Sequence, residues 1–549
     1  MSGPSFNLIA ASIQPAFRAE VSNSKAAGGA TARPSLVIGQ ALGTGYVANV
    51  PVKVLSTGTA NALFRTGSQL ARAIAAYLAN DPFAELWALP VDDSGTGVAA
   101  ALSLKFVVTG TPGYGSLYLY IAGQRLVINV TPASTATSIG DAIAAALGIN
   151  EAAAFAAGST FPVTATNSSG TVTFLARNKG SLSNQIDFRV NYLGSASGEQ
   201  YPVGVVAQYY PTGLAWTDLA LAYQGNNATA PACNASTTST SNGTILGAND
   251  PSLTTAIANM GDRRYSFVVC PYSTKGTGLP ITLLATEFAD SLTGRWGPQK
   301  QVYGHVYSAL NSTAATLYGL STDNSPHVSI FGIEASPTPP CEIAAAFAGA
   351  IAPSIRNDPA RPLNTLILQG VLAPSPADQF NYTEREQILA NGITTPLIDP
   401  AGNVRIQRAI STYTKNAYGA ADKSYRDITT PATLDFILTE MGNYISNAYS
   451  RVKLVDNDMP IQPGTNCVNC NSIRNALIDL YVGWERLAIV ENSAVFSKLI
   501  RVTRDTDGNP AGDPTVVNVY FPPDLVNGLM NMNALAEFRL QYSPADLAA

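Results

Sequence analysis

The sequence predicts an α/β core interrupted by an inserted α+β region, followed by a mainly helical region, with an extended strand at each end. Three observations carry this. Short continuous apolar runs alternate with helical stretches over much of the chain, the pattern of strands covered on both faces. The pattern breaks at Asp92-Asp-Ser-Gly-Thr-Gly and resumes well over a hundred residues later. Both ends carry a strictly alternating segment with no neighbouring hairpin mate. The divisions fall at 1–33 (N-terminal arm and linker), 34–92 (first part of the core), 93–215 (insert), 216–415 (remainder of the core), 416–533 (C-terminal helical/α+β region) and 534–549 (C-terminal arm strand).

In the first segment, Phe17, Ala19 and Val21 face one way and Arg18, Glu20 and Ser22 the other. Asn23 to Arg33 is a Gly/Ala/Ser-rich linker, read as flexible. Leu36-Val-Ile-Gly is a short buried strand. Ser68 caps a helix whose apolar stripe is Leu70, Ile74, Tyr77 and Leu78. Glu85 to Val91 is the next strand, completing a βαβ unit.

The insert carries strands at Leu102–Val108 and Ser116–Ile121, joined across Gly110-Thr-Pro-Gly-Tyr-Gly, and an Ala-rich helix at Ile139–Leu147. Two more strands flank Asn167-Ser-Ser-Gly. Residues 225–247 form a polar low-complexity loop. The core then resumes with strands at Tyr265–Cys270 and His327–Gly332, a helix at Ile281–Thr293, and an apolar helix from Cys341 behind Pro339-Pro340. Thr365–Leu368 and Thr394–Ile398 are further core strands.

The C-terminal region has a helix capped by Thr430 and opened by Pro431, and a second from Asn471 to about Ala488. A hairpin follows, Lys498–Thr503 with Thr515–Phe521, and then a short helix at Asp524–Met530. In the last strand Ala536, Phe538, Leu540 and Tyr542 alternate with Glu537, Arg539 and Gln541. A lone strand leaves its backbone groups unpaired, so it either docks on a distant sheet of its own chain or pairs with another molecule. The Glu537/Arg539 face is charge-complementary to Arg18/Glu20 in an antiparallel pairing.

Composition narrows the function. Charged residues make up 13% of the 549, against about 25% in ordinary soluble domains, which favours a surface that becomes covered by assembly. The net charge of −5, without a basic stripe, excludes a nucleic-acid footprint. No signal peptide is read at the N-terminus, and the longest apolar run, Ile343–Ala352, is about half a membrane span. Five cysteines (Cys233, Cys270, Cys341, Cys467, Cys470) make no disulfide framework and fit a reducing compartment.

Catalytic patterns fail in turn. The two histidines, His305 and His327, sit in no triad signature, and there is no G-x-S-x-G elbow. Asp92-Asp93 could form a paired-carboxylate site but ends a strand at a Gly-rich turn. There is no Gly-Lys dipeptide, hence no Walker A loop, and no G-x-G-x-x-G. Cys467-Val-Asn-Cys470 has metal-like spacing but no second ligand pair. Neither metal nor cofactor is expected, and the chain reads as a non-enzyme.

An ordered set of short blocks resembles the contractile tail sheath proteins of Mu-like phages. It begins with Pro15-Ala-Phe-Arg-Ala-Glu-Val-Ser-Asn-Ser-Lys-Ala and Asn80-Asp-Pro-Phe-Ala-Glu-Leu-Trp-Ala-Leu-Pro-Val-Asp-Asp. It continues through Arg295-Trp-Gly-Pro, Asn324-Ser-Pro-His-Val, Asp358-Pro-Ala-Arg-Pro-Leu and Pro522-Pro-Asp-Leu-Val-Asn. Ala16 departs from the usual Gly of the arm, and the 225–247 loop is an elaboration. The resemblance implies a subtilisin-like core without enzyme activity, in subunits stacked as hexameric rings around a tail tube and contracting to drive that tube through a host envelope for DNA ejection. It further implies neighbours joined by strand addition through Phe17, Ala19 and Val21 and through Ala536, Phe538, Leu540 and Tyr542, each arm completing a core sheet. Baseplate and tail terminator proteins are further implied partners, the location is a virion tail assembled in the host cytoplasm, and the tube-facing candidates are Arg451 and Lys453. The alternatives are the sheath of a phage-derived bacteriocin or secretion device, a subtilisin-like hydrolase, and a carbohydrate-binding tail adhesin.

Overall fold

The apolar run Leu36-Val-Ile lies at the middle of a six-stranded sheet whose two faces are both covered. The computed structural model describes residues 33–209, 216–218, 245–462, 464–505 and 512–538. The sheet has the order β14 (Val328–Ile333), β13 (His305–Asn311), β12 (Phe267–Val269), β1 (Ser35–Gln40), β3 (Leu86–Val91) and β2 (Val52–Val54). β1 runs parallel to both β12 and β3, pairing Ser35 with Phe267 and with Leu86, and only β2 is antiparallel. Leu36 and Ile38 face one core with Leu284 and Phe288, whereas Val37 faces the other with Tyr77, Tyr307 and Phe347. A strand buried on both sides has no polar face to show, so its sequence is continuously apolar.

The helix Gln69–Asn80 is capped by Ser68, whose side chain accepts from the Ala71 amide. It packs on the helix Pro340–Asn357, and Gly349 makes the close approach possible: a Cβ there would lie 2.7 Å from the Tyr77 carbonyl oxygen. The predicted helix at Ile281–Thr293 is shorter, Pro280–Glu287. Buried Arg295 pulls the following segment back on itself by donating to the carbonyls of Gly261 (2.6 Å) and Arg263 (2.8 Å) and to the Glu287 carboxylate (3.1 Å). β13 is a central strand that the sequence reading passes over.

The described residues between 101 and 218 hold two further sheets. One has the order β11 (Thr217–Asp218), β10 (Val205–Tyr209), β4 (Ala101–Val108), β8 (Thr171–Ala176), β7 (Val163–Ser168); the other is β6 (Gln124–Val130), β5 (Gly115–Ile121), β9 (Phe188–Val190). Both share one apolar core with the helix Ala136–Leu147. The strands β4 and β5 are consecutive but lie in different sheets, because β8 and β10 occupy both edges of β4. The turn at Ser169 and Gly170, both at positive φ, makes the expected β7–β8 hairpin.

The strand candidates Thr365–Leu368 and Thr394–Ile398 lie outside the parallel sheet. β15 (Ile367–Leu372), β17 (Asn403–Arg408) and β16 (Thr395–Ile398) form a separate antiparallel sheet, touching β14 through one bridge between Phe331 and Thr394. The β16–β17 connection turns at Gly402 (φ 84°), and Asp399 holds that turn through the amides of Ala401 and Asn403. A connection this short permits only an antiparallel neighbour.

The C-terminal region has helices Thr429–Tyr449, Cys470–Arg486 and Ser493–Leu499 and two small sheets, β18 (Lys453–Leu454) with β19 (Cys467–Val468) and β20 (Arg501–Arg504) with β21 (Val517–Tyr520). Thr430 is not the cap of the first helix. Ile428 occupies that position without a side-chain bond, and Pro431 sits inside the first turn, where amides have no intrahelical partner.

The two histidines are core residues on neighbouring segments. Burial and the facing His327 hold His305 well below the ordinary histidine pKa; burial also lowers that of His327, with Asp290 opposing. A histidine buried neutral binds a proton more readily once unfolded, so its contribution to stability is complete above about pH 6.5 and is lost as pH falls below that value. We expect the urea unfolding midpoint to drop between pH 7.5 and 5.5, and the drop to shrink in a His305→Gln/His327→Gln variant; an equal drop in that variant would contradict this assignment.

Candidate assembly surfaces

The groups that could have formed a catalytic site are taken up in packing. His305 Nε2 is 2.7 Å from Ser329 Oγ, and His327 Nε2 is 2.8 Å from Asp290 Oδ1, with the His327 ring stacked on Trp296 at 4.1 Å. Both histidines are buried, and they make two separate pairs rather than a triad. Asp93 is a joint between the parallel sheet and the insert: it accepts from Gln40 Nε2 (2.7 Å), Asn178 Nδ2 (3.2 Å) and the Lys179 amide (3.0 Å). Burial raises its pKa against these donors. Asp92 instead accepts from the Tyr46 hydroxyl. Cys467 and Cys470 are free thiols, Cys467 on β19 and Cys470 opening a helix capped by Asn469. Among the described residues no group of three or more His, Cys, Asp or Glu could hold a metal, and no helix is long and apolar enough to cross a membrane.

What the surface does offer is an exposed apolar segment near the C-terminus. Ala536 and Phe538 lie in no helix or strand of this chain and are exposed; Leu540 and Tyr542, like Phe17, Ala19 and Val21, fall outside the described residues. Upstream, Leu529, Met532, Leu535 and Phe538 recur every third residue and are 69%, 80%, 86% and 87% exposed. The sequence reading, following the period of two from Ala536, passes over this recurrence. Four large apolar side chains left in water within ten residues are far outside the scatter of single exposed apolar groups.

The tail starts from a rigid root. Ile473, Leu477, Tyr481 and Trp484 form the buried stripe of the helix Cys470–Arg486. Tyr481 stacks on Phe496 (3.8 Å, 6°), and Phe521, the first residue after β21, meets both rings edge-on at 6.3 and 5.0 Å. The Tyr481 hydroxyl donates to the Glu491 carbonyl (2.7 Å) and accepts from the Asp524 amide (3.0 Å). Glu491 N–H in turn donates to the Asp524 carbonyl and Val526 N–H to the Ile489 carbonyl. These bonds hold 524–526 extended, so the predicted helix at Asp524–Met530 does not form.

Open sheet edges are the complementary feature. The outer edge of β14 is covered by Thr394 and Thr412, whose amides donate to Ile330 and Val328. The opposite edge, β2, has only three residues. The hairpin β20–β21 stands as a two-stranded sheet, so among the described residues each of its strands keeps one edge unpaired. One face of the hairpin packs on the C-terminal core through Val502 and Val517, which supports a two-stranded sheet.

Arg451 and Lys453 are both exposed and make no ion pair among the described residues. They do not share one helix end. The helix stops at Tyr449, Arg451 follows its last turn, and Lys453 sits on β18 with its amide bonded to the Asn466 carbonyl.

Comparison with known proteins gives consistent neighbours. Residues 247–412 match the family model described as the phage tail sheath protein central domain. The chain is similar to the Mu-like prophage FluMu tail sheath protein of Haemophilus influenzae, 30% identical over 528 residues that cover 95% of this chain and 97% of that protein. Among solved structures it is similar to the sheath tail protein of Desulfitobacterium hafniense (TM-score 0.43, 12% identity, covering 94% of this chain and 97% of that one). Another is the sheath tail protein of Listeria innocua (TM-score 0.42, 11% identity, 90% and 96%).

Phe496 is 2% exposed at the centre of the aromatic root. Phe496→Ala should cost about 3–5 kcal/mol of stability, read as an earlier urea transition of the C-terminal region, and should increase the protease sensitivity of residues 521–538. Unchanged sensitivity there would remove the root from this role.

Proposed function

The chain belongs to the Mu-like phage tail sheath family, whose members are structural proteins of contractile tails and not enzymes, and from that premise we propose that it polymerises as stacked hexameric rings around a tail tube, linked by strands exchanged between subunits. The observation that carries this is the apolar tail from Leu529 to Phe538, exposed and outside every strand of its own chain. The two free edges of the β20–β21 hairpin supply acceptors for two arms, Pro15–Ser22 from one neighbour and Ala534–Tyr542 from another.

A six-residue strand added to an edge makes about five backbone hydrogen bonds, each contributing about 0.5–1.5 kcal/mol net. Two arms therefore bind each subunit by several kcal/mol, before any contribution from Phe538 or Phe17. Contacts of this kind are heterologous and propagate a helical filament when the rotation does not close. Contraction is then a collective shift between two packings of the same rigid bodies, with the arms as hinged tethers and the baseplate and terminator holding the extended packing. Arg451 and Lys453, without a carboxylate partner among the described residues, face the tube in this reading. In the same reading assembly takes place in the host cytoplasm.

Negative-stain microscopy of the purified protein tests the arm directly. Full-length protein forms tubes or ring stacks, and protein lacking residues 534–549 does not; tubes from the truncated chain would refute the arm. Phe538→Asp should shift the concentration for assembly upward by tenfold or more, since burying an unpaired carboxylate costs at least about 1.4 kcal/mol. The Arg451→Glu/Lys453→Glu variant should still form empty tubes but lose co-assembly with the tube protein; co-assembly at the parental level would exclude the pair as the tube contact.

A further inference from the structure

Three asparagines of the chain are followed by glycine: Asn242, Asn391 and Asn527. Such a pair can react with itself. A glycine amide has no Cβ beside it to hold it away from the preceding Asn Cγ, so the step cyclises wherever both groups are free to meet. Asn242 falls outside the described residues. The other two sit in opposite surroundings.

Asn391 is locked in place. It caps the C-terminus of the helix Tyr382–Ala390, and its Nδ2 donates to the carbonyls of Leu317 (3.0 Å) and Leu320 (2.9 Å). The Gly392 N–H donates to the Leu389 carbonyl, and Gly392 itself is buried. Neither reacting group leaves its partner without local unfolding.

Asn527 has no such restraint. It follows Val526, whose amide is held by the Ile489 carbonyl, and it precedes the exposed apolar tail. Asn527 and Gly528 are both exposed and lie outside every helix and strand. Among the described residues neither the Asn527 side chain nor the Gly528 N–H has a hydrogen-bond partner. Packing nevertheless requires the glycine, because a Cβ at position 528 would lie 2.7 Å from Pro362 Cγ. The chain thus keeps a reactive pair at the point where the tail leaves its root.

We propose that Asn527-Gly528 is a site of spontaneous covalent modification, at which the Asn527 side-chain amide is converted to aspartate or isoaspartate. The Gly528 nitrogen gives its proton to hydroxide and attacks Asn527 Cγ. The N–Cγ bond forms, the Cγ–Nδ2 bond breaks, and Nδ2 takes a proton from water and leaves as ammonia, regenerating the hydroxide. Water then opens the resulting succinimide at one of its two carbonyls. Opening at Cγ gives aspartate in the normal backbone. Opening at the α-carbonyl gives isoaspartate, whose main chain runs through Cβ and is one carbon longer. Both products add a carboxylate beside the root, and isoaspartate also displaces Gly528 from Pro362 and re-aims the tail. The effect on assembly rests on the strand-exchange reading; the modification itself does not.

The test incubates the full chain, below its assembly concentration, at mildly alkaline pH and then digests it with trypsin. The fragments 505–539 and 386–405 carry Asn527 and Asn391, and mass spectrometry follows the conversion of each amide to acid. Asn527 should convert about tenfold faster than Asn391 or more, because Asn391 reacts only from locally opened molecules; in urea the two rates should converge. Equal rates in the folded protein, or an Asn527 that reacts in urea but stays intact when folded, would overturn the site. In the Asn527→Gln variant, whose longer side chain cyclises poorly, position 527 should stay unmodified. After the same incubation the parental protein should need a several-fold higher concentration to form tubes, whereas Asn527→Gln should match fresh protein. An equal loss in both would remove the effect on assembly. Tubes formed without residues 534–549 would refute the strand-exchange reading and leave the mass-spectrometric result standing, so the two fail separately.

Discussion

Each residue of a β-strand carries a donor and an acceptor that must meet a partner, and in this molecule the supply of partners is uneven. The parallel sheet spends its edges inside the chain: β14 is covered by Thr394 and Thr412, and β2 is cut to three residues. Among the described residues the C-terminal hairpin is left open on both sides, and the tail from Leu529 to Phe538 leaves its apolar side chains in water. In the proposed assembly the satisfied part is the body of each subunit, and the unsatisfied part joins one subunit to the next.

Rigidity has its own source in a few buried polar joints. Asp93 gathers Gln40, Asn178 and Lys179, so the insert is bonded to the strand at the centre of the core sheet. Arg72 joins two helices and the β5–β6 turn, and Arg189 reaches from Asp187 (2.6 Å) to the Ala335 carbonyl (2.6 Å). Buried ion pairs of this kind add little net stability, because desolvation offsets their attraction, but a wrong orientation leaves a charge unpaired. Their effect is to fix how the insert sits on the core. The proposed collective transition, which moves each subunit as a unit, requires that.

The same residue types that suggest chemistry in a sequence are used here for packing. His305 and His327 are buried, Asp93 holds a joint, Asp92 accepts from the Tyr46 hydroxyl, and Cys470 opens a helix.

Much of the fold was legible in the sequence because burial imposes a period. Two-sided burial made Leu36-Val-Ile continuous, the cap at Ser68 and the stripe from Leu70 to Tyr77 marked a helix, and Ile473 to Trp484 marked another. What a period cannot report is the identity of the partner. Which sheet takes β4 and which takes β5, whether β15–β17 join the parallel sheet, and whether 524–526 coil or extend were settled by contacts from residues far away in sequence, such as Tyr481 and Thr394. Local patterns follow from the solvent each residue sees, but pairing depends on which donors and acceptors remain free once the rest of the chain has folded. Only the tertiary structure decides that.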